Sequence, residues 1–493
     1  MSARAATPLA APVNRGPVSI VWFRQDLRLA DNPALSAALQ RGGAVIPVYI
    51  DSSSEEAGWA PGGASRWWLH HSLASLDASL RARGSRLIVR RGPALHELQS
   101  LCRECGADAC YWNRRYEPAV RERDKLIKQT LRSAGYIAES RNATLLAEPW
   151  ELITQSGGAY QVYTPFRRRL LAHITPAAPT PAAAQVPAPR QWPKSLTVAQ
   201  LQWLPAIAWY QGMAALWRPG EAGAAQRLQD FVASPLTHYA QRRDQPGTEG
   251  TSRLSPHLHH GELSVRQLWH GVLGATGASA DAADPRCEKY LAELIWREFS
   301  YHLLHHFPHT PEAPLRAGFA RFAWLEDRSA LRAWQTGMTG VPLIDAGMRE
   351  LSTTGWMHNR VRMVAASFLV KNLRQSWQSG ARWFWDTLVD ADLAANTQGW
   401  QWVAGCGADA APYFRVFNPV TQSRKFDPQG HYLRRWLPEL ARLADVQLHA
   451  PWLADAAQLR AAGVTLGTSY PRPIVDLQDS RVAALLAYRQ MRA

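Results

Sequence analysis

Apolar, β-branched runs alternate with stretches of helical periodicity from residue 17 to about 148. VSIVWF (18–23), AVIPVYI (44–50), SRLIVR (85–90), DACYWN (108–113) and a weaker GYIAES (135–140) read as strands. Between them, 32–41, 66–83, 93–105 and 118–133 carry apolar positions at helical spacing. Short apolar strands separated by helix-length amphipathic segments predict a parallel sheet covered by helices, an α/β fold. The pattern then lapses. Residues 176–193 form an Ala/Pro stretch with no capacity for a core, which predicts an exposed linker. Beyond about residue 215 strand-like runs vanish, and 286–307, 343–353, 357–378 and 382–394 show helical periodicity rich in Trp, Leu and Ala. The expected organisation is a disordered tail over 1–16, an α/β domain over 17–148, a connector over 149–215 and a large all-helical domain over 216–485.

Composition narrows the class. A chain of 493 residues is too long for one ordinary core, so two or three domains are expected. Hydrophobic content of 46% against 19% charged residues is globular. No apolar run approaches the roughly 20 residues needed to cross a bilayer. The opening MSARAATPLAAPVNRG lacks the continuous apolar segment of a signal peptide, so a cytoplasmic protein without membrane contact is expected. Lys and Arg number 55 against 40 Asp and Glu, a formal charge of +15. That excess suits a polyanionic partner, because released counterions favour binding to phosphate backbones; a scattered surface excess is the alternative.

Two familiar chemistries are absent. The first strand leads into FRQDLRLADNPAL, with no G-x-G-x-x-G, so a dinucleotide fingerprint is missing where it would have to stand. Cys102, Cys105, Cys110, Cys287 and Cys406 are too few and too scattered for a disulfide framework. The first three cluster without a fourth at a useful spacing, so buried thiols are expected and no metal site.

Four segments carry chemistry. In EGTSRLSPHL (249–258), Thr251, Ser252 and Ser255 crowd hydroxyls at an expected helix start, where the dipole and unpaired N–H groups suit a phosphate; ordinary capping explains them equally. KYLAELIWREFSYHLL (289–304) sets Glu293, Trp296 and Arg297 at i, i+3 and i+4, on one helical face. GWMHNRVRMVAASFLVKNL (355–373) sets Asn359 and Met363 on one face beside Arg362, an arrangement that suits an aromatic ligand or plain helix packing. In DADLAANTQGWQWVAG (390–405), Trp400 and Trp402 follow Asp390, Asp392 and Asn396, and Gly399 with its polar neighbours reads as a turn or helix end. The two carboxylates can accept hydrogen bonds from ribose or ring N–H groups, or pair with Arg362.

Taken in order, VWFRQDLRLADNPAL, EGTSRLSPHL, ELIWREF, TGVPLIDAGMRELSTTGWMHNRVRMVAASFLVKNL and DADLAANTQGWQWVAGCGADAAPYFRVFNP closely resemble the DNA photolyase/cryptochrome family, most of all a class I cyclobutane pyrimidine dimer photolyase. The resemblance runs from about residue 18 to 440. It implies an N-terminal parallel-sheet, Rossmann-like antenna domain and a helical domain that holds FAD, in an enzyme of the deoxyribodipyrimidine photo-lyase type. Tyr239, the segment Thr251, Ser252, Arg253, Leu254 and Ser255, together with Arg362, Asp390, Ala391, Asp392 and Asn396, would hold the FAD, Asn396 facing flavin N5. Trp400, Trp377 and Trp324 would carry an electron hole outward. Glu293, Asn359, Met363, Trp296 and Trp402 would line the pocket for a dimer flipped out of UV-damaged DNA. Arg243, Arg297, Arg360 and the pair Arg424 and Lys425 would meet its phosphates.

Within that resemblance, Asn359 and Met363 stand where (6-4) photolyases are expected to carry histidines, which favours a cyclobutane dimer. Asn396 is photolyase-like, plant-type cryptochromes tending to Asp, and with Ala493 as the last residue no long signalling tail is expected. A light-sensing cryptochrome without repair is the other reading. A monomer is expected. For a second, antenna chromophore the segment NRRYEPAVRERD has Ala119 and Val120 where folate-binding members would show Asn and Glu, which leaves folate, a deazaflavin and another flavin open.

Overall fold

β1 (Val18–Phe23), β2 (Ala44–Asp51), β3 (Ile88–Arg91), β4 (Ala109–Asn113) and β5 (Ile137–Arg141) pair side by side in the order β3-β2-β1-β4-β5, every pairing parallel. The computed structural model describes residues 16–277, 285–410 and 414–492; the expected tail, Gly16 apart, lies outside them. Alternation along β1 explains the layering. Val21 and Phe23 pack with Leu35 and Leu73 on one face, Ile20 and Trp22 with Ile127 and Leu131 on the other, as a parallel sheet buried on both sides requires. The helices between the strands are α1 (Pro33–Arg41), α2 (Gly63–Arg81), α3 (Ala94–Cys105) and α4 (Pro118–Ser133). Asn32 caps α1 by accepting from the Leu35 N–H, and Pro33 occupies the first turn, where its missing N–H costs nothing.

The loop after β1, which has no glycine fingerprint, joins the domains. Arg28 is fully buried and donates to the carbonyls of Asp31, Ala143 and Gly261 at 2.9–3.2 Å. Gly261, at φ 66°, lets the loop approach, since a Cβ there would strike the Gln25 backbone.

Residues 149–215 are mostly exposed or half-buried, yet they are anchored to the folded domains at several points. α5 (Tyr163–His173) buries Phe166 and Leu170. The Ala/Pro stretch lies on the α/β domain: the Val186 N–H donates to Arg83 at 3.0 Å, the Val45 N–H to Pro187 at 2.8 Å, and Val186 and Leu201 enter the core. Proline-rich backbone donates few hydrogen bonds but accepts them freely, so it can edge a folded domain.

Helices make up the remainder. The segment expected over 357–378 runs as Asn359–Ser367, passes into a π-helical turn at Phe368–Asn372 and stops. The one expected over 382–394 is instead Trp377–Thr387, and the next helix, Leu393–Ala404, contains the residues read as a turn around Gly399. Asp392 causes that restart by capping it, accepting the Ala395 N–H at 2.8 Å. The last helix, Leu477–Arg492, runs past residue 485. Cys102, Cys110 and Cys406 are buried. No helix among the described residues is long and apolar enough to cross a membrane.

One buried acid sets a pH dependence. Glu298, on the Pro285–His306 helix, is 3% exposed and accepts the Leu146 N–H at 2.9 Å. Burial pushes its carboxyl up to about 7, only partly offset by Arg297. An unfolded Glu titrates near about 4.3, so across the interval the folded chain holds the extra proton and stability falls as pH rises. Melting temperatures between pH 5 and pH 8 should therefore drop less in Glu298→Gln than in the parent. Parallel curves would refute it.

Candidate cofactor and DNA site

A cavity of about 620 Å³ opens between the helices Ser255–His259, Pro285–His306, Asn359–Ser367 and Leu393–Ala404. It collects most of the residues singled out in the sequence. Tyr239, Ser252, Leu254, Ser255, Arg362, Asp390 and Asp392 line it, and so do Arg243, Glu293, Trp296, Arg297, Asn359, Met363 and Trp402. Segments separated by more than a hundred residues thus share one wall system.

Polar groups on this wall are pre-positioned. Asp390 Oδ2 accepts from Ser255 Oγ at 2.6 Å and from Arg362 at 2.9 Å, while its Oδ1 is buried without a partner. A buried carboxylate oxygen left unpaired is costly, which makes it an acceptor awaiting a ligand donor. Asp392 accepts from the Tyr301 hydroxyl and lies 3.6 Å from His259 Nδ1. Burial alone would push that carboxyl up, but His259, Arg297 and Tyr301 hold it at about 2, so it is ionised at any working pH. The buried phenols of Tyr239 and Tyr290 are pushed up and stay protonated, and Tyr290 donates to Ser252 Oγ at 3.0 Å. Aromatic rings, hydroxyls, an orphaned acceptor and flanking cations fit FAD. Asp390 and Asp392 would take its ribose or ring donors, and Arg362 and Lys289 would balance its phosphates.

Several assignments shift. Thr251, Arg253, Ala391 and Asn396 do not line the cavity; Ala391 is buried behind it and Arg253 lies over the Trp356 ring at 5.3 Å. Asn396 donates to Ala381 O at 3.0 Å, one position beyond cavity-lining Ala395. Arg297 lines the cavity but is half-buried over Tyr301 and donates to Thr144 O at 2.9 Å, so its guanidinium is engaged within the protein. Arg243 is paired with Glu293, and Arg360 with Asp244 at 2.9 Å beneath Phe426. Arg424 and Lys425 remain exposed.

On the substrate side, Trp296 stacks on Tyr163 of α5 with ring centroids 3.7 Å apart and planes 3° from parallel. The Tyr163 hydroxyl is fixed to Ala292 O at 2.8 Å. Trp402 donates its indole N–H to Asp409 O at 3.2 Å and presents its ring to the same cavity. Sequence reasoning missed Tyr163, Tyr301 and His259. His259 ends the short helix that Ser255 begins and was within reach; Tyr163 was hidden in the span read as a connector.

Trp400 points the other way and is buried. A Cβ at Gly380 would fall inside its indole, so that glycine makes the room. Its ring neighbours are Phe384 at 5.0 Å and Trp334 at 6.1 Å. Among the described residues no close ring pair joins Trp400 to Trp377 or Trp377 to Trp324, although all three belong to one core; Trp324 lies against Phe322 at 4.4 Å near the surface. Trp334, the indole in contact with Trp400, had not been singled out.

A second cavity, about 510 Å³, is lined by Trp112 and Trp150 with Arg114, Arg121, Lys125 and Lys128. The segment that departs from the folate pattern supplies much of its wall.

Both halves of the chain match known families. Residues 290–490 match the FAD binding domain of DNA photolyase, and residues 19–186 match DNA photolyase. The chain belongs to the DNA photolyase/cryptochrome family. It is 48% identical to the deoxyribodipyrimidine photo-lyase of Agrobacterium fabrum over 95% of this chain and 97% of that one. It is 39% identical to cryptochrome-1 of Arabidopsis thaliana over 97% of this chain and 71% of that one. The crystal structure of a bacterial class III photolyase from Agrobacterium tumefaciens superposes with a TM-score of 0.93 at 47% identity, covering 99% of this chain and all of that one. Its subclass differs from the class I expected from the motifs. The helical half is thus the family's FAD-binding domain, and the cavity above lies within it.

Proposed function

We propose that this photolyase-family protein reverses cyclobutane pyrimidine dimers in DNA under light, as a cytoplasmic monomer. The observation that carries the reading is the single cavity lined both by most of the expected FAD set, Tyr239, Ser252, Leu254, Ser255, Arg362, Asp390 and Asp392, and by Trp296, Glu293, Asn359, Met363 and Trp402. FAD, when bound and reduced, supplies the photoexcited electron, chemistry that no side chain provides.

The residues do the rest. A damaged pair stacks poorly, so flipping it out of the duplex is less costly than for an intact pair. Trp296, backed by Tyr163, offers a rigid face for the extruded bases, and Trp402 bounds the cavity with a second indole. Arg243 grips Glu293 and orients its carboxylate toward the dimer's polar edge, bringing positive charge close to where the dimer becomes negative. Asn359 and Met363 fill the remaining wall. The second cavity's indoles and cations suit a flat, anionic antenna pigment.

Reduced, illuminated protein mixed with an oligonucleotide carrying one thymine dimer should restore intact thymines, read by chromatography, with no conversion in the dark. Tight binding of the damaged strand without conversion would instead favour the cryptochrome reading, to which the similarity to cryptochrome-1 lends weight.

A further inference from the structure

A third concavity, about 500 Å³, lies where the end of the chain meets the segment after residue 413. Arg415, Arg481, Arg489 and Arg492 surround it, and no acidic side chain lines it. Among the described residues none of the four is paired with a carboxylate. Its floor is aromatic: Phe414 and Tyr488 stack with centroids 4.5 Å apart and planes within 8°. Beneath Phe414, buried Lys371 approaches the ring centroid to 3.5 Å and donates to Arg415 O at 3.0 Å. Burial lowers that ammonium to about 7. Lys371 belongs to the π-helical turn Phe368–Asn372, a distortion found often at functional sites.

Four guanidinium groups around one hollow repel one another, and among the described residues no carboxylate offsets them, though Arg492 lies over the Tyr488 ring at 5.9 Å and Arg415 over Phe417 at 5.0 Å. Guanidinium forks match phosphate oxygens in pairs, and an aromatic floor takes a base. A bare anion site would have no use for the stacked rings. A backbone track would spread its cations along a groove instead of closing them round a single nucleotide-sized hollow. We propose that this concavity binds a free nucleotide bearing two or more phosphates, its phosphates among Arg415, Arg481, Arg489 and Arg492 and its base against Tyr488. The site shares no residue with the flavin cavity and does not depend on the repair reading.

The test uses the full chain with FAD bound, so that the flavin cavity is blocked, and reads anisotropy of a fluorescent N-methylanthraniloyl-ADP. Saturable binding is expected. Arg481→Ala/Arg489→Ala should weaken it more than about tenfold, roughly 1.4 kcal/mol, with flavin content and melting temperature unchanged. Arg442→Ala/Arg460→Ala, two exposed arginines elsewhere, should bind like the parent, and ADP should displace the probe far better than adenosine or pyrophosphate. No binding by the parent overturns the proposal. So does an equal loss in the control pair, which would mean general charge attraction, or pyrophosphate competing as well as ADP, which would mean an anion site alone. A matching loss of affinity for undamaged single-stranded DNA in Arg481→Ala/Arg489→Ala would reassign the hollow to the DNA surface.

Discussion

Trp400→Phe is expected to keep its FAD and lose photoreduction of oxidised flavin by external thiols. Phenylalanine is far harder to oxidise than tryptophan, so a hole that must begin at residue 400 has nowhere to start. A fall of about 100-fold corresponds to about 2.7 kcal/mol of barrier. Repair by flavin reduced beforehand with dithionite should survive, because that electron moves toward the DNA and not through Trp400. The ring also packs, wedged against Gly380, Phe384 and Trp334. Losing the larger indole should cost about 1–3 kcal/mol. The two roles separate at Gly380. Gly380→Ala alone collides with the indole and should destabilise the chain, whereas added to Trp400→Phe it refills the void and should recover stability without recovering photoreduction. Normal photoreduction in Trp400→Phe would remove the residue from any electron path. Trp324→Phe and Trp334→Phe, assayed alongside, report which neighbour takes the hole next; the ring contact with Trp334 makes it the stronger blocker.

The sheet was legible because parallel strands buried on both faces read as near-continuous apolar runs, and all five were placed to within three residues. Boundaries in the helical half were less so. The break at 388–392 depends on Asp392 capping an N–H that is orphaned only once the helix has formed, and the polar run after it looks like a turn when the cap is not known. The cavity's inventory was largely legible because it sits in dense motifs, and the resemblance supplied the grouping that no spacing could. What failed was tertiary. Arg297 shares a helical stripe and the cavity wall with Glu293, yet a stripe does not reveal that its guanidinium is engaged by Thr144 O. Arg243 reads as a free cation until Glu293 is seen beside it. Tyr163 lay in the span read only as a connector, and its use appears only when α5 folds back on the Pro285–His306 helix.

That overlooked tyrosine sharpens the second large effect. Trp296→Ala should erase the preference for damaged over undamaged DNA while leaving undamaged binding nearly as it was. Stacking on one base is worth about 1–3 kcal/mol, so discrimination should fall by about 5- to 150-fold. Tyr163 covers one face of the indole, and only the other can meet an extruded base. Tyr163→Leu leaves Trp296 in place without its support, and should lose part of the discrimination because the indole must then be ordered at the moment of binding. Tyr163→Phe keeps the stacked ring and gives up only the bond to Ala292 O, so it should discriminate nearly as the parent does. Since Tyr163 acts through Trp296, the combination Tyr163→Leu/Trp296→Ala should be no worse than Trp296→Ala alone, a non-additivity that residues merely packed in the same core would not show. Gel-shift titrations on matched oligonucleotides with and without one thymine dimer measure all four variants. Equal losses on both DNAs would reduce the pair to core packing, and additive losses in the double variant would break the link between them.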